Sequence, residues 1–203
     1  MANTDSPFGL RPHNKLGQAP NSMGLTPYKV QIAGVAGSSS AIHQGDMVIP
    51  LTNGLVDVSA ADGGSVAILG VMAGCEYTAL DGTPTFDNKY PGTASLKSGT
   101  EATVFVYDDP HQVYECQADA SLTNLATATA LIHSNAEGTG FGSETANGIS
   151  AGEISVATAG ATTATDNFRI VGIKDVEGID YASAGVVLLV KLNLPFHTAT
   201  TGL

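Results

Sequence analysis

The chain predicts an all-β fold: an antiparallel β-barrel or sandwich of about nine or ten short strands, with an extended N-terminal arm and at most one short helix. Runs of Val, Ile, Tyr and Phe alternate with polar residues at period two, as a half-buried strand requires. Clusters of Gly, Pro, Asn and Asp interrupt them at roughly strand-length intervals. Aromatic residues make up only 6% of the 203, and Trp is absent, so small and β-branched side chains must build the core.

Residues 1–27 show no periodicity, and Pro7, Pro12, Pro20 and Pro27 recur among isolated apolar residues. Proline fixes φ and removes a donor, so an extended arm is expected, disordered alone or lying across a neighbouring subunit through Phe8 and Leu10. Residues 28–203 form one β-rich domain. Its first strand is Tyr28 to Ala33, where Tyr28, Val30 and Ile32 share a face. Gln44-Gly45-Asp46 is a turn feeding a strand from Met47 to Leu51, and Asn53-Gly54 predicts a tight hairpin to Leu55–Val58. A turn at Asp62-Gly63-Gly64 precedes an apolar strand at Val66 to Ala73, continued by Glu76-Tyr77-Thr78 and ended at Asp81-Gly82.

A long loop over residues 81–100 leads into Ala102 to Gln117, where two Val- and aromatic-rich runs flank Asp108-Asp109-Pro110. This is the pattern of a hairpin. A short helical turn capped by Ser121 follows, with the Ala and Thr run to His133 open to a strand reading. Residues 134–165, rich in Gly, Ser, Thr and Ala, predict flexible exposed loops around a weak strand at Glu153 to Thr158. Phe168 to Val176 and Gly185 to Leu194 close the fold, the second apolar enough to be covered on both faces.

The formal charge of −11, from 19 acids against 8 bases, argues against a surface that neutralises phosphates, so no direct nucleic-acid partner is expected. No apolar run is long enough to span a membrane, and the first residues lack a signal peptide's basic and apolar regions. The protein is therefore expected to be soluble and made in the cytoplasm. Cys75 and Cys116 sit in apolar surroundings and are expected to be buried, reduced thiols.

Candidate chemistry is sparse. Asp108, Asp109 and Glu115 form the best carboxylate group, open to a Ca²⁺ or acid/base reading, but the Ca²⁺-loop pattern is missing and Asp-Asp-Pro is ordinary turn chemistry. The histidines His13, His43, His111, His133 and His197 lack metal-ligand spacing, and no CxxC pair exists. No Gly-x-Ser-x-Gly elbow occurs, and Gly138-Thr-Gly-Phe-Gly142 lacks the following helix and Lys of a phosphate loop. No catalytic residue, cofactor or metal is expected.

Four segments resemble a group of tailed-bacteriophage virion proteins, the head decoration or cement proteins encoded beside the major capsid protein. They are the opening Met-Ala-Asn-Thr-Asp-Ser-Pro-Phe-Gly-Leu-Arg-Pro12, the central Leu69-Gly-Val-Met-Ala-Gly-Cys-Glu-Tyr77, Val104-Phe-Val-Tyr-Asp-Asp-Pro110 with Tyr114-Glu115, and Arg169-Ile-Val-Gly-Ile173 to Val190-Lys-Leu-Asn193. Gln44-Gly45-Asp46 through Asn53-Gly54-Leu55 to Gly70-Val71 is also similar to the small barrel module of such proteins. The resemblance implies a β-rich subunit, trimer favoured, that binds the major capsid protein on the capsid surface of the virion and ties coat subunits together without catalysis. Phe8, Leu10, Arg11, Asp108 and Asp109 are the expected partner contacts. Deleting residues 2–20 is then expected to weaken attachment while leaving the barrel folded. The alternatives are a tail, fibre or host-attachment protein using loops 134–165, and a hydrolase, for which no motif speaks.

Overall fold

A computed structural model describes residues 3–16, 24–35, 37–59, 66–174, 177–199 and 202. The turn expected at Asp62-Gly63-Gly64 lies outside them. The fold is all-β, with antiparallel sheets and one α-helix among the described residues. In chain order the strands are β1 (Arg11–Lys15), β2 (Thr26–Gln31), β3 (Ile42–His43), β4 (Met47–Pro50), β5 (Val56–Val58), β6 (Gly70–Thr78), β7 (Pro84–Asp87), β8 (Lys89–Tyr90), β9 (Ala102–Tyr107) and β10 (Gln112–Gln117). After the helix α1 (Leu125–Ala130) come β11 (Asn135–Ala136), β12 (Gly138–Thr139), β13 (Glu144–Ala146), β14 (Ile149–Ser150), β15 (Glu153–Ile154), β16 (Phe168–Ile173) and β17 (Val187–Leu192). The seventeen strands described exceed the nine or ten expected because the extra ones are mostly two- or three-residue pairings inside segments that read as loops.

Two sheets organise the molecule. The first runs β2-β9-β6-β4-β5, with β7 added to the far half of β6, and β2 meets β5 so that the sheet curls into a small barrel. The second runs β1-β10-β17-β16-β11. Each has its own core. Val30, Val48, Val56, Met72, Val104 and Val106 fill the barrel, while Leu10, Tyr114, Cys116, Phe168, Ile170, Leu188 and Val190 form the second core. The period-two alternation explains how they meet: Val48 and Met72 point into the barrel, whereas their neighbours Met47 and Val71 point out of it into the second core. Strands β4 and β6 are thus a wall shared by both. Such a wall needs close backbone approach: a Cβ on Gly70 would lie 2.3 Å from the Tyr107 carbonyl oxygen.

The Asn53-Gly54 hairpin joins β4 to β5 as expected. The expected hairpin over residues 102–117 is corrected: β9 pairs β2 and β6, and β10 pairs β1 and β17, so the two runs belong to different sheets. Ala102, Val104 and Val106 face the barrel core while Tyr114 and Cys116 face the other, and residues 108–111 carry the chain across. Asp109 still makes a turn there, its carbonyl accepting from Gln112 N at 3.0 Å. The helix also differs from expectation. It is capped by Asn124, whose side chain accepts from Thr127 N, because Leu122 is buried and Thr123 adopts φ +67°, which no helix continues. The final strand is fully buried on one face only, at Leu188, Val190 and Leu192.

Part of the 134–165 segment is built into the fold, while residues 143–147 and 162–165 are exposed. Ala136, Phe141 and Ile154 are in the second core, and the Phe141 ring lies 5.7 Å from that of Phe168. Asp46 fastens this segment to the barrel. The side chain is fully buried; Oδ1 accepts from Gly142 N at 2.9 Å and Ser150 Oγ at 2.5 Å, and Oδ2 accepts from His43 N at 2.8 Å with His43 Nδ1 at 2.9 Å. Replacing Asp46 by Ala strands these buried donors, and the Asn variant turns an N–H towards one pair of them. Each is expected to lower stability by about 3–5 kcal/mol. Urea denaturation checks this; a loss below about 1 kcal/mol would show that the cluster is not the fastening.

Candidate interaction surface

The N-terminal segment is extended, but it is not a free arm. Leu10 is 2% exposed in the second core, its N–H donates to the Gly45 carbonyl at 3.0 Å, and β1 pairs antiparallel with β10. Gly9 makes the bend, at φ +66° and so close to Ser150 that a Cβ would sit 2.7 Å from that residue's own. Phe8, Leu10 and Arg11 do come together as expected, but against their own chain. The Arg11 guanidinium lies 4.1 Å from the centre of the Phe8 ring, and with Leu10, Gln44, Met72 and Tyr107 they line a cleft of about 310 Å³. The cleft is a candidate contact, whereas Leu10 itself is spent on the core.

Asp108 and Asp109 are engaged inside the chain. Asp108 Oδ2 accepts from the Tyr28 hydroxyl at 2.8 Å and lies 3.3 Å from His197 Nε2, which ties the crossing to the barrel. Asp109 pairs with Lys15 on β1 and accepts from His111 N, which ties the same crossing to the second sheet. The hydrogen bond from Lys15 holds the Asp109 carboxyl below the usual carboxylate range. Glu115 is held apart from both. Burial opposes its ionisation, but bonds from Lys174 and His13, at 2.7 and 2.8 Å, together outweigh burial and keep its carboxyl low. The three acids therefore make no shared cation or acid/base site, and no group of three potential metal ligands occurs among the described residues.

His43, Asp46 and Ser150 resemble a catalytic triad only in composition. The Ser150 hydroxyl donates to Asp46 rather than to the histidine, and His43 Nε2 lies 3.7 Å from Glu144 instead. A histidine cannot take a proton from a hydroxyl bonded elsewhere, so the cluster is structural. Cys75 and Cys116 are free thiols buried in different cores; burial pushes Cys75 up to about 12 and Cys116 further up, which keeps both as unreactive thiols.

The most exposed apolar side chains are on the β6–β7 hairpin, which sequence reasoning read as the start of a loop. Leu80 is 67% and Phe86 73% exposed, and β7 is bonded to β6 alone. Glu76, Asp81 and Asp87 are exposed around them. The signal was present in Asp81-Gly82 followed by Thr-Pro-Thr-Phe, but Pro84 demoted the run; it is tolerated because β7 is an edge strand. No described helix is long and apolar enough to cross a membrane. No family model, curated protein or solved structure matches the chain.

Because Leu10 is built into the core and β1 covers the edge of β10, deletion of residues 2–20 is now expected to destabilise the fold rather than leave it intact. Leu10→Ala alone is expected to cost about 2–5 kcal/mol. Thermal melts of both variants check this, and a deletion with an unchanged melting temperature would return the segment to the status of an arm.

Proposed function

We propose that this protein is a structural component of a bacteriophage head that decorates the assembled coat and stabilises its lattice, acting as a trimer on the major capsid protein. The observation that carries the reading is the β6–β7 hairpin: a two-stranded hairpin with Leu80 and Phe86 exposed and β7 at the edge of its sheet. Isolated surface Leu and Phe are ordinary, but two on one hairpin beside an open edge are the composition of a protein contact. The barrel formed by β2, β9, β6, β4 and β5 supports the same reading, since it contains the Gln44 to Val71 stretch that resembles the cement module.

Charge narrows the partner surface. Lys15, Lys29, Lys89 and Lys174 are each paired with an acid of the same chain, so half of the eight bases are already engaged within it. Glu76, Asp81 and Asp87 flank the apolar pair, so the coat surface that receives it would present an apolar recess rimmed by Lys or Arg. Binding the assembled lattice but not free coat subunits stabilises the shell by mass action. The tail or host-attachment reading would use the parts of loops 134–165 that stay exposed, residues 143–147 and 162–165.

Leu80→Ser with Phe86→Ser tests the proposal, since both side chains are exposed and the fold should survive. Losing two desolvated anchors is expected to cut occupancy on purified particles at least tenfold, since burying each contributes about 1.5–3 kcal/mol. Gel densitometry and a reconstruction of particles with and without the protein provide the readout. Undiminished occupancy of the double variant would remove the hairpin from the contact, and density at the tail alone would overturn the head assignment.

A further inference from the structure

The segment from Asn3 to Arg11 lies as a strap over the second sheet, and a cluster of acids sits beneath it. Asn3 fixes one end: its Nδ2 donates to the carbonyls of Asp180 and Ala184, at 2.7 and 3.2 Å, and its Oδ1 accepts from Asp180 N at 3.0 Å. Gln117 on β10 grips the middle, donating to the Thr4 carbonyl at 2.9 Å and accepting from Ser6 N at 3.1 Å. Leu10, in the core, is the far anchor. Between these fixed points lies Asp5, whose charge acts on Glu153 of β15, as does that of Asp119 in the loop after β10. Among the described residues, β12 brings Gly138 and Thr139, with Glu137 just before it accepting from Ser155 N at 3.0 Å through its carbonyl, and β10 brings the Cys116 thiol.

Glu153 is the unusual member. Its Oε1 is buried without a hydrogen-bond partner, so nothing in the protein compensates a negative charge there. Asp119, by contrast, is committed, its Oδ1 accepting from Val156 N at 2.8 Å. Of the three carboxylate carriers, β15 and the 119 loop are bound to each other, with Asp119 N donating to the Ile154 carbonyl at 3.0 Å. Only the strap can move away without breaking a sheet.

We propose that Glu153, Asp5 and Asp119 form a pH-sensitive latch, closed with the strap docked while Glu153 carries a proton and opened by ionisation, which drives Asp5 and its strap off the second sheet. The property belongs to the chain alone and does not depend on the head reading. Burial first, then the charges of Asp5 and Asp119, push the Glu153 carboxyl up to about 7 when the strap is docked. With the strap away, water reaches the carboxyl and it returns towards the ordinary glutamate value of about 4.3. The closed state therefore holds the proton over the window between these two values. Docking is strongest below about 4.3, weakens as pH rises towards about 7, and is constant above that, where both states are ionised.

Hydrogen exchange of the full chain, corrected for the intrinsic pH dependence of amide exchange, tests this. Protection of the Ser6 amide, which donates to the Gln117 side chain, is expected to fall by up to tenfold per pH unit between about pH 5 and 7 and then level off. Glu153→Gln removes the titration and is expected to flatten the profile, and Asp5→Asn, at an exposed position, removes one of the charges that raise Glu153 and is expected to make the fall smaller and level off at lower pH. A wild-type profile with no slope in that window, or a Glu153→Gln profile that keeps it, overturns the latch. So does an equal slope at the amides of β17, which would make Glu153 a determinant of global stability rather than of the strap. Should Glu153→Gln fail to fold, the Asp5→Asn shift decides alone, and its absence overturns the proposal.

Discussion

The carboxylate of Asp46 is the constraint on which the arrangement of the two cores depends. It stands immediately before β4, at the point where the wall shared by barrel and second sheet begins, and it accepts from donors on both sides of that junction. A carboxylate offers about four acceptor sites, and here the His43 N–H, the His43 ring, the Gly142 N–H and the Ser150 hydroxyl occupy them. Burying such a charge is costly unless every site is used. Full use therefore makes the group specific: a barrel docked against the 138–150 segment in any other register would leave a buried anion short of donors. The exchange of backbone bonds between Asp46 and Met72 and between Gly45 and Met72 locks the same corner to β6.

The shared wall also accounts for the composition. A strand buried on both faces cannot carry bulky side chains at every position, and β6 begins Gly-Val-Met-Ala-Gly, its first three residues all buried. Two thin cores divided by one sheet need small and β-branched side chains and little aromatic mass. Two of the buried rings carry a polar handle that finds a partner. Tyr114 donates to the Tyr107 carbonyl at 3.0 Å and Tyr90 to the Ser38 carbonyl at 3.1 Å, so both hydroxyls are satisfied deep in the protein.

Much of the fold was legible because strand periodicity and turn chemistry are local. The β4–β5 hairpin and the strands β2, β6, β9, β10, β16 and β17 can be read from alternation and Gly, Asn or Asp punctuation. What could not be read is which strands pair. Asp108-Asp109-Pro110 reports that the chain turns, and the same residues serve a hairpin or a crossing between sheets; the choice lies with Tyr28, His197 and Lys15, which are remote in sequence. The buried part of the 134–165 segment could not be read for a related reason. Its composition signals flexibility, yet Phe141, Ile154 and the Asp46 bonds hold it down, and a single buried ring outweighs many loop-forming neighbours. Phe8 and Arg11 were singled out for lying in a Pro-rich stretch, and the structure does bring them together at a cleft. The hairpin carrying Phe86 was missed because Pro84 reads as a break in any strand but an edge.

The distribution of charge ties fold to surface. Internal ion pairs consume lysines where the chain must be joined: Lys15 at the crossing, Lys174 beside β10, Lys89 beside the 144–150 hairpin. Each such pair takes one acid together with one base, so the surplus of 19 acids over 8 bases stays at 11. That surplus discourages copies from associating indiscriminately, but its reach is limited to about 8 Å at physiological ionic strength. Within that range the exposed Leu80 and Phe86 can bind only where cations or neutral groups receive Glu76, Asp81 and Asp87. The acids thus act as the selective element and the two apolar side chains as the source of affinity, a division of labour that a purely apolar hairpin edge, open to any other strand, would not provide.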